Sequence, residues 1–65
     1  MANRLRETRL LKRITQFQLR ILTGIHQSKI SLIENGLIDP TQDEEKKLAK
    51  ALGTKVEELF IDNTK

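Results

Sequence analysis

The stretch Thr15-Gln16-Phe17-Gln18-Leu19-Arg20-Ile21-Leu22-Thr23-Gly24-Ile25-His26-Gln27-Ser28-Lys29-Ile30-Ser31-Leu32-Ile33-Glu34-Asn35-Gly36 decides the fold. It reads as two short helices separated by one glycine and closed by another. Thr15 and Gln18 have the spacing of a capping box, in which each side chain satisfies a backbone N–H at a helix start, and Ile14 and Leu19 flank it at the offsets of a hydrophobic staple. Gly24 and Gly36 stand where a left-handed residue ends a helix. Ile25 and Ile30 repeat the staple spacing around His26, which makes His26 the N-cap of the second helix, though imidazole is a poor cap.

Outward from this stretch the same punctuation recurs. Thr41-x-x-Glu44 and Thr54-x-x-Glu57 read as further capping boxes, and Gly53 as a third helix stop. No β-type alternation competes, and the single proline, Pro40, falls in the longest loop. Five helices are expected, at about 3–12, 16–22, 27–34, 42–52 and 55–61. The fold is therefore all-α: one compact five-helix domain over residues 1–65, ordered over about 3–61. With 65 residues, such a chain buries only about 60% of the surface it exposes when unfolded, which favours tight helical packing.

Charge is distributed unevenly. Residues 1–38 carry seven basic groups (Arg4, Arg6, Arg9, Lys12, Arg13, Arg20, Lys29) against Glu7 and Glu34, a net +5, whereas residues 39–65 are net −2. A basic N-terminal half points to a polyanionic partner, nucleic acid before an anionic membrane surface. No apolar run approaches a membrane span, and the first two helices lack a sustained one-sided apolar face, so no membrane partner is expected; composition leaves the compartment open, and a cytoplasmic, nucleoid-associated setting is the expectation for a nucleic-acid binder. The absence of cysteine excludes disulfides and thiolate metal sites, and a single histidine argues against zinc, so neither metal nor cofactor is expected. With only Phe17 and Phe60 as aromatics, serial base stacking on single strands is also disfavoured.

The helix at 27–34 is the most informative element. Ile30 and Ile33 share one face, with Ile25 just before it, while Gln27, Ser28, Ser31 and Leu32 form the other, with Lys29 beside them. A surface helix ordinarily turns long charged side chains outward. Small and amide groups are what a helix needs if its exposed side is to enter a groove about 12 Å wide and hydrogen-bond to base edges.

From Thr15 to Gly36 the chain resembles the helix-turn-helix of lambda-repressor-like DNA-binding domains, the Cro/XRE-type family. The likeness begins at Leu5-Arg6-Glu7 and extends through Leu48-Ala49-Lys50-Ala51-Leu52-Gly53 and Glu58-Leu59-Phe60, covering about residues 4–60. It implies that Gln27, Ser28 and Leu32 read bases, and that Gln16, with Thr15 beside it, and Asn35 contact phosphates. It also implies that Arg9 and Glu34 form a salt bridge joining the first and third helices. The chemistry agrees: a helix N-terminus near Gln16 attracts phosphate, Gln27 can pair bidentately with adenine, and Leu32 can meet a thymine methyl. Lys12, Arg13 and Lys29 supply further cations for the DNA backbone. The function implied is a sequence-specific double-stranded DNA-binding transcriptional regulator, acting as a homodimer on a roughly palindromic site.

Several positions depart from the family pattern. Arg13 replaces a helix-ending glycine, which costs on the order of 1 kcal/mol if the residue is left-handed. Arg20 replaces an alanine between the motif helices and must reach outward, or the helices must separate. Glu45 stands where helix 4 is usually apolar. Leu10, Leu11, Phe17, Ile21 and Leu22 leave the second helix and its surroundings apolar on two sides, so either the core repacks to include them or they form a contact surface for a protein partner, the second being preferred. The alternative function is accordingly a protein-interaction module, bridging or antitoxin-type, with DNA binding secondary. Val56, Leu59, Phe60 and Ile61, or the Gly36–Pro40 loop, are candidate dimer faces; the alternative is that Val56, Leu59 and Phe60 simply close the core, which is the preferred reading for Leu59 and Phe60. No enzyme is expected: His26 and Ser28 do not form a nucleophile–base pair, and Asp43, Glu44 and Glu45 complement the dipole at the start of helix 4.

Overall fold

The starts and stops read from the sequence organise the chain as local hydrogen bonding requires. The computed structural model describes residues 3–60, and within them five helices follow one another: α1 (Leu5–Leu11), α2 (Gln16–Thr23), α3 (Gln27–Glu34), α4 (Gln42–Leu52) and α5 (Val56–Leu59). Thr15 and Gln18 form a complete capping box on α2, as do Thr41 and Glu44 on α4. His26 caps α3 with its ring, Nδ1 accepting from the Ser28 N–H at 3.2 Å. Gly24 ends α2 at φ 76°, and no atom outside its neighbours approaches the place of an added Cβ, so the requirement there is conformational and not one of space.

The end of α1 uses the same geometry without a glycine. Among the described residues Arg13 is the one non-glycine position at positive φ, 59°. The Arg13 N–H reaches the Leu10 carbonyl and the Ile14 N–H the Arg9 carbonyl, both at 3.0 Å, which is the double closure usual behind a glycine.

Other boundaries shift for identifiable reasons. The first helix starts at Leu5 instead of residue 3 because Asn3 is held elsewhere: its Oδ1 accepts the Leu5 N–H, and its amide donates to the Ile33 carbonyl at 2.8 Å. The capping box expected at Thr54 and Glu57 does not form. The Thr54 N–H closes the end of α4 on the Ala49 carbonyl, Lys55 becomes the N-cap of α5, and the Thr54 hydroxyl donates to Glu58. The fifth helix ends at Leu59, since Phe60 leaves helical geometry; Ile61, included in the expected helix and dimer face, lies outside the described residues.

The core is built from one face of every helix. Leu5, Leu19, Ile30, Ile33, Leu48 and Leu59 are fully buried, each contributing about 2 kcal/mol of burial free energy. Leu59 and Phe60 belong to this core, so they are not available as a dimer face. Packing runs α1 against α3, α2 against α3 and α4, and α5 against α4. The chain ends of this packing are tied by the Arg4 N–H donating to the Leu59 carbonyl at 2.8 Å. α2 and α3 are thus gripped from behind, with their remaining faces outward.

Arg13→Gly removes the left-handed penalty without touching the core, and is expected to raise stability by about 1 kcal/mol. Chemical denaturation measures this; an unchanged midpoint would show that the Arg13 side chain compensates for its backbone.

Candidate nucleic-acid interface

Three residues separate α2 from α3, and Thr23 fixes their path. This buried threonine donates from Oγ1 to the Leu19 carbonyl at 2.7 Å and accepts from the Ile25 N–H at 3.1 Å, so one hydroxyl joins the last turn of α2 to the turn that follows. Ile25, Ile30 and Ile33 are buried beneath α3. That burial turns the opposite side of the helix outward, with Ser28 and Leu32 exposed and Gln27 and Ser31 half-buried at its margins. The four residues expected on the outward side are on it.

Both ends of α3 are anchored by charge. At its C-terminal end, Glu34 receives Arg9 Nε at 2.6 Å and Arg9 Nη2 at 3.3 Å, with the side chains only 9% and 1% exposed. The remaining Arg9 nitrogen, Nη1, donates to the Ile14 carbonyl at 2.9 Å. Gln16 Nε2 completes the junction, donating to Glu34 Oε1 at 3.0 Å. The side chains of α1, α2 and α3 therefore meet on one carboxylate, and no buried side-chain polar atom among the described residues lacks a partner. Nearer its N-terminal end, Lys29 Nζ meets Glu44 Oε2 at 2.6 Å, tying α3 to the first turn of α4. The Glu44 carboxyl is held below its ordinary pKa, first by the hydrogen bond from Lys29 and then by the Thr41 N–H of the capping box.

The expected contact residues occupy distinct local states. Thr15 is exposed, with its hydroxyl accepting the Gln18 N–H. Gln16 is half-buried with its amide on Glu34, and Lys29 is engaged with Glu44. Asn35 is exposed and donates to the Ser31 carbonyl. Lys12 and Arg13 are exposed immediately before the capped start of α2, where cations and unpaired helix amides both favour an anion. Arg20 is exposed, so it reaches outward, and α2 remains packed on α3. The Ser28 hydroxyl lies 2.9 Å from His26 Nδ1.

Sequence reasoning missed three parts of this arrangement: the Thr23 bridge, the Gln16–Glu34 contact and the Lys29–Glu44 tie. The last two join residues 18 and 15 positions apart, on different helices, where no local spacing rule applies. Among the described residues no group is placed to hold a metal ion, and no helix is long and apolar enough to cross a membrane.

This geometry is that of a helix-turn-helix. A family model described as a helix-turn-helix domain matches residues 1–59, and the chain belongs to that family. An uncharacterized HTH-type transcriptional regulator of Methanocaldococcus jannaschii is 38% identical over 61 residues, spanning 94% of this chain and 92% of that protein. The crystal structure of the restriction-modification controller protein C.AhdI from Aeromonas hydrophila matches with a TM-score of 0.83 at 37% identity, over 88% of this chain and 86% of that one. The resemblance carried by Thr15 to Gly36 is thereby confirmed.

Removing one partner of a buried ion pair strands the other, so Glu34→Ala is expected to cost about 3 kcal/mol. An Arg9→Met, Glu34→Leu double variant should recover most of that loss in thermal denaturation, whereas additive losses would mean that the junction is not a coupled unit. The Lys29–Glu44 tie carries a pH signature. Because the folded carboxyl is depressed, its contribution is complete above the ordinary value of 4.5 and is lost as pH falls through the folded value. Lys29→Met should bring the Glu44 titration, followed by NMR, back toward 4.5; an unmoved midpoint would remove Lys29 as its main cause.

Proposed function

We propose that this protein is a sequence-specific double-stranded DNA-binding transcriptional regulator, a single helix-turn-helix domain that acts by binding and not by catalysis. The observation that carries the reading is the outward side of α3: Ser28 and Leu32 exposed, Gln27 and Ser31 beside them, none of them charged, on a helix anchored at both ends. Membership of the helix-turn-helix family supports it, as do relatives named as a transcriptional regulator and a restriction-modification controller.

In this reading α3 enters the major groove. Gln27 offers its amide to adenine, and Leu32 offers methyl groups to thymine. Ser28, whose hydroxyl lies 2.9 Å from His26 Nδ1, can both donate to and accept from a base edge and so discriminates little by itself. Lys12, Arg13, Thr15, Gln16 and Asn35 grip the backbone around it. Gln16 retains a second amide proton for phosphate while the first holds Glu34. Lys29 contributes to the backbone only if it leaves Glu44. One module buries a small area on DNA, so useful affinity calls for a homodimer on a roughly palindromic site, with half-sites about 34 Å apart. With Leu59 and Phe60 in the core, the Gly36–Pro40 loop, where Leu37 is 69% exposed, is the better candidate for the dimer contact. The cytoplasm, where the nucleoid lies, is the setting.

The competing reading, a bridging or antitoxin-type interaction module, draws on the exposed Leu10, Leu11, Phe17, Ile21 and Leu22. It requires a co-purifying partner and no retention of any genomic fragment at low salt. The DNA reading is graded more finely. Gln27→Ala should relax preference at one base position, costing about 1–3 kcal/mol on the selected site. Lys12→Ala should weaken all duplexes alike and flatten the salt dependence by about one unit. Titration of selected and random duplexes with both variants separates these effects; equal losses on both duplexes for Gln27→Ala would remove it from base reading.

A further inference from the structure

α2 is apolar on the side that the core does not use. Phe17, Ile21 and Leu22 are 56, 66 and 59% exposed, at positions where a solvated helix would carry charge. They are not scattered. With Ile14 and Gln18 they line an open hollow of about 270 Å³. Leu22 is shared with a second hollow of about 440 Å³, whose other walls are Thr23, Ala51, Lys47 and Lys50 of α2 and α4. The two hollows adjoin at Leu22, the first apolar along α2 and the second walled by the α4 lysines, and together they are termed the α2–α4 groove. Lys50 makes no ion pair among the described residues, and Lys47 meets Asp43 at 3.2 Å, four residues before it on the same helix.

We infer that this α2–α4 groove docks an acidic amphipathic helix from a second protein. Leucine-like anchors of that helix would fill the hollow over Phe17, Ile21 and Leu22, and its carboxylates would face Lys47 and Lys50. Charge selects this occupant over a second copy of the chain: self-pairing through the same face would bring both lysine rims to one interface. Area agrees. Three half-exposed side chains offer a few hundred Å², short of the ~800 Å² that each partner buries in a standard stable dimer, but fitting for one short helix.

The lysine-walled hollow lies away from the proposed DNA interface. Gln16 and Leu22 flank the buried Leu19–Thr23 stripe on opposite sides of α2, and that hollow opens on the Leu22 side, away from the Glu34 junction that Gln16 completes. The apolar hollow reaches Ile14 and Phe17, next in sequence to Thr15 and Gln16, so its amino end borders the proposed DNA-backbone contacts.

The test is an NMR titration of the isotopically labelled full chain with two synthetic helical peptides. Both carry leucines at i, i+3, i+4 and i+7; one has glutamate and the other lysine elsewhere. The glutamate peptide is expected to shift Phe17, Ile21, Leu22 and Lys50, and to bind about tenfold tighter than the lysine peptide. A Phe17→Ser, Ile21→Ser variant should lose about tenfold in affinity with an unchanged melting temperature, since both side chains lie outside the core, and Lys50→Glu should lose several-fold. No binding, equal binding of the two peptides, or shifts centred on Gln27 and Ser28 would overturn the proposal. Concentration-dependent self-association abolished by Ile21→Ser would also overturn it, by making the occupant a second copy. Failure of DNA binding alone would leave the peptide result intact, so the two readings fail separately.

Discussion

The junction of Arg9, Gln16 and Glu34 is the constraint on which the interface depends. A carboxylate in the last turn of a helix faces the negative end of its dipole, and burial makes that placement costlier still. Glu34 is nevertheless there, 1% exposed, because Arg9 meets it with two nitrogens and Gln16 with a third. Apolar packing is non-directional and would let α3 settle over a range of rotations; a forked guanidinium–carboxylate pair has one geometry. The junction thereby sets how far α3 is turned about its axis. Arg9 cannot drift either, since its third nitrogen is bound to the Ile14 carbonyl and its own carbonyl receives the Ile14 N–H.

Lys29 and Glu44 complete the clamp from the other side. Glu44 serves twice, capping α4 through the Thr41 N–H and receiving Lys29 from α3. The outward side of α3 is thus presented by a helix whose two flanks are held by different neighbours, with Ile30 and Ile33 buried between them. An interface that is already ordered has less conformational freedom to lose on binding. Of the residues proposed to read bases, Ser28 and Leu32 are short, and their positions follow from the backbone more than from side-chain adjustment.

What could be read from the amino-acid sequence was local. The capping boxes at Thr15 and Thr41, the His26 cap, the glycine stops and the exact span of α3 all rest on spacings of a few residues, where backbone chemistry leaves little choice. The Thr54 box failed because two helix ends compete for one residue: its N–H is needed to finish α4, so it cannot begin α5. The Arg9–Glu34 pair came from family resemblance and not from spacing, and the same holds for the roles of Gln16 and Asn35. Contacts between distant elements, such as Lys29 with Glu44 and Asn3 with the Ile33 carbonyl, depend on how whole helices pack and leave no periodic trace. The apolar excess on α2 was visible as composition, but its continuity with the Lys47–Lys50 wall is a product of the fold.

The most direct test of the central claim is intermolecular NOE spectroscopy on a complex with a duplex selected from random sequence. The account predicts that the Gln27 side-chain amide protons and the Leu32 methyl groups show contacts to major-groove base protons, with α4 and α5 silent. Contacts confined to sugar protons, or duplex protons found against α4 or α5 while Gln27 and Leu32 remain as in the unbound protein, would contradict it.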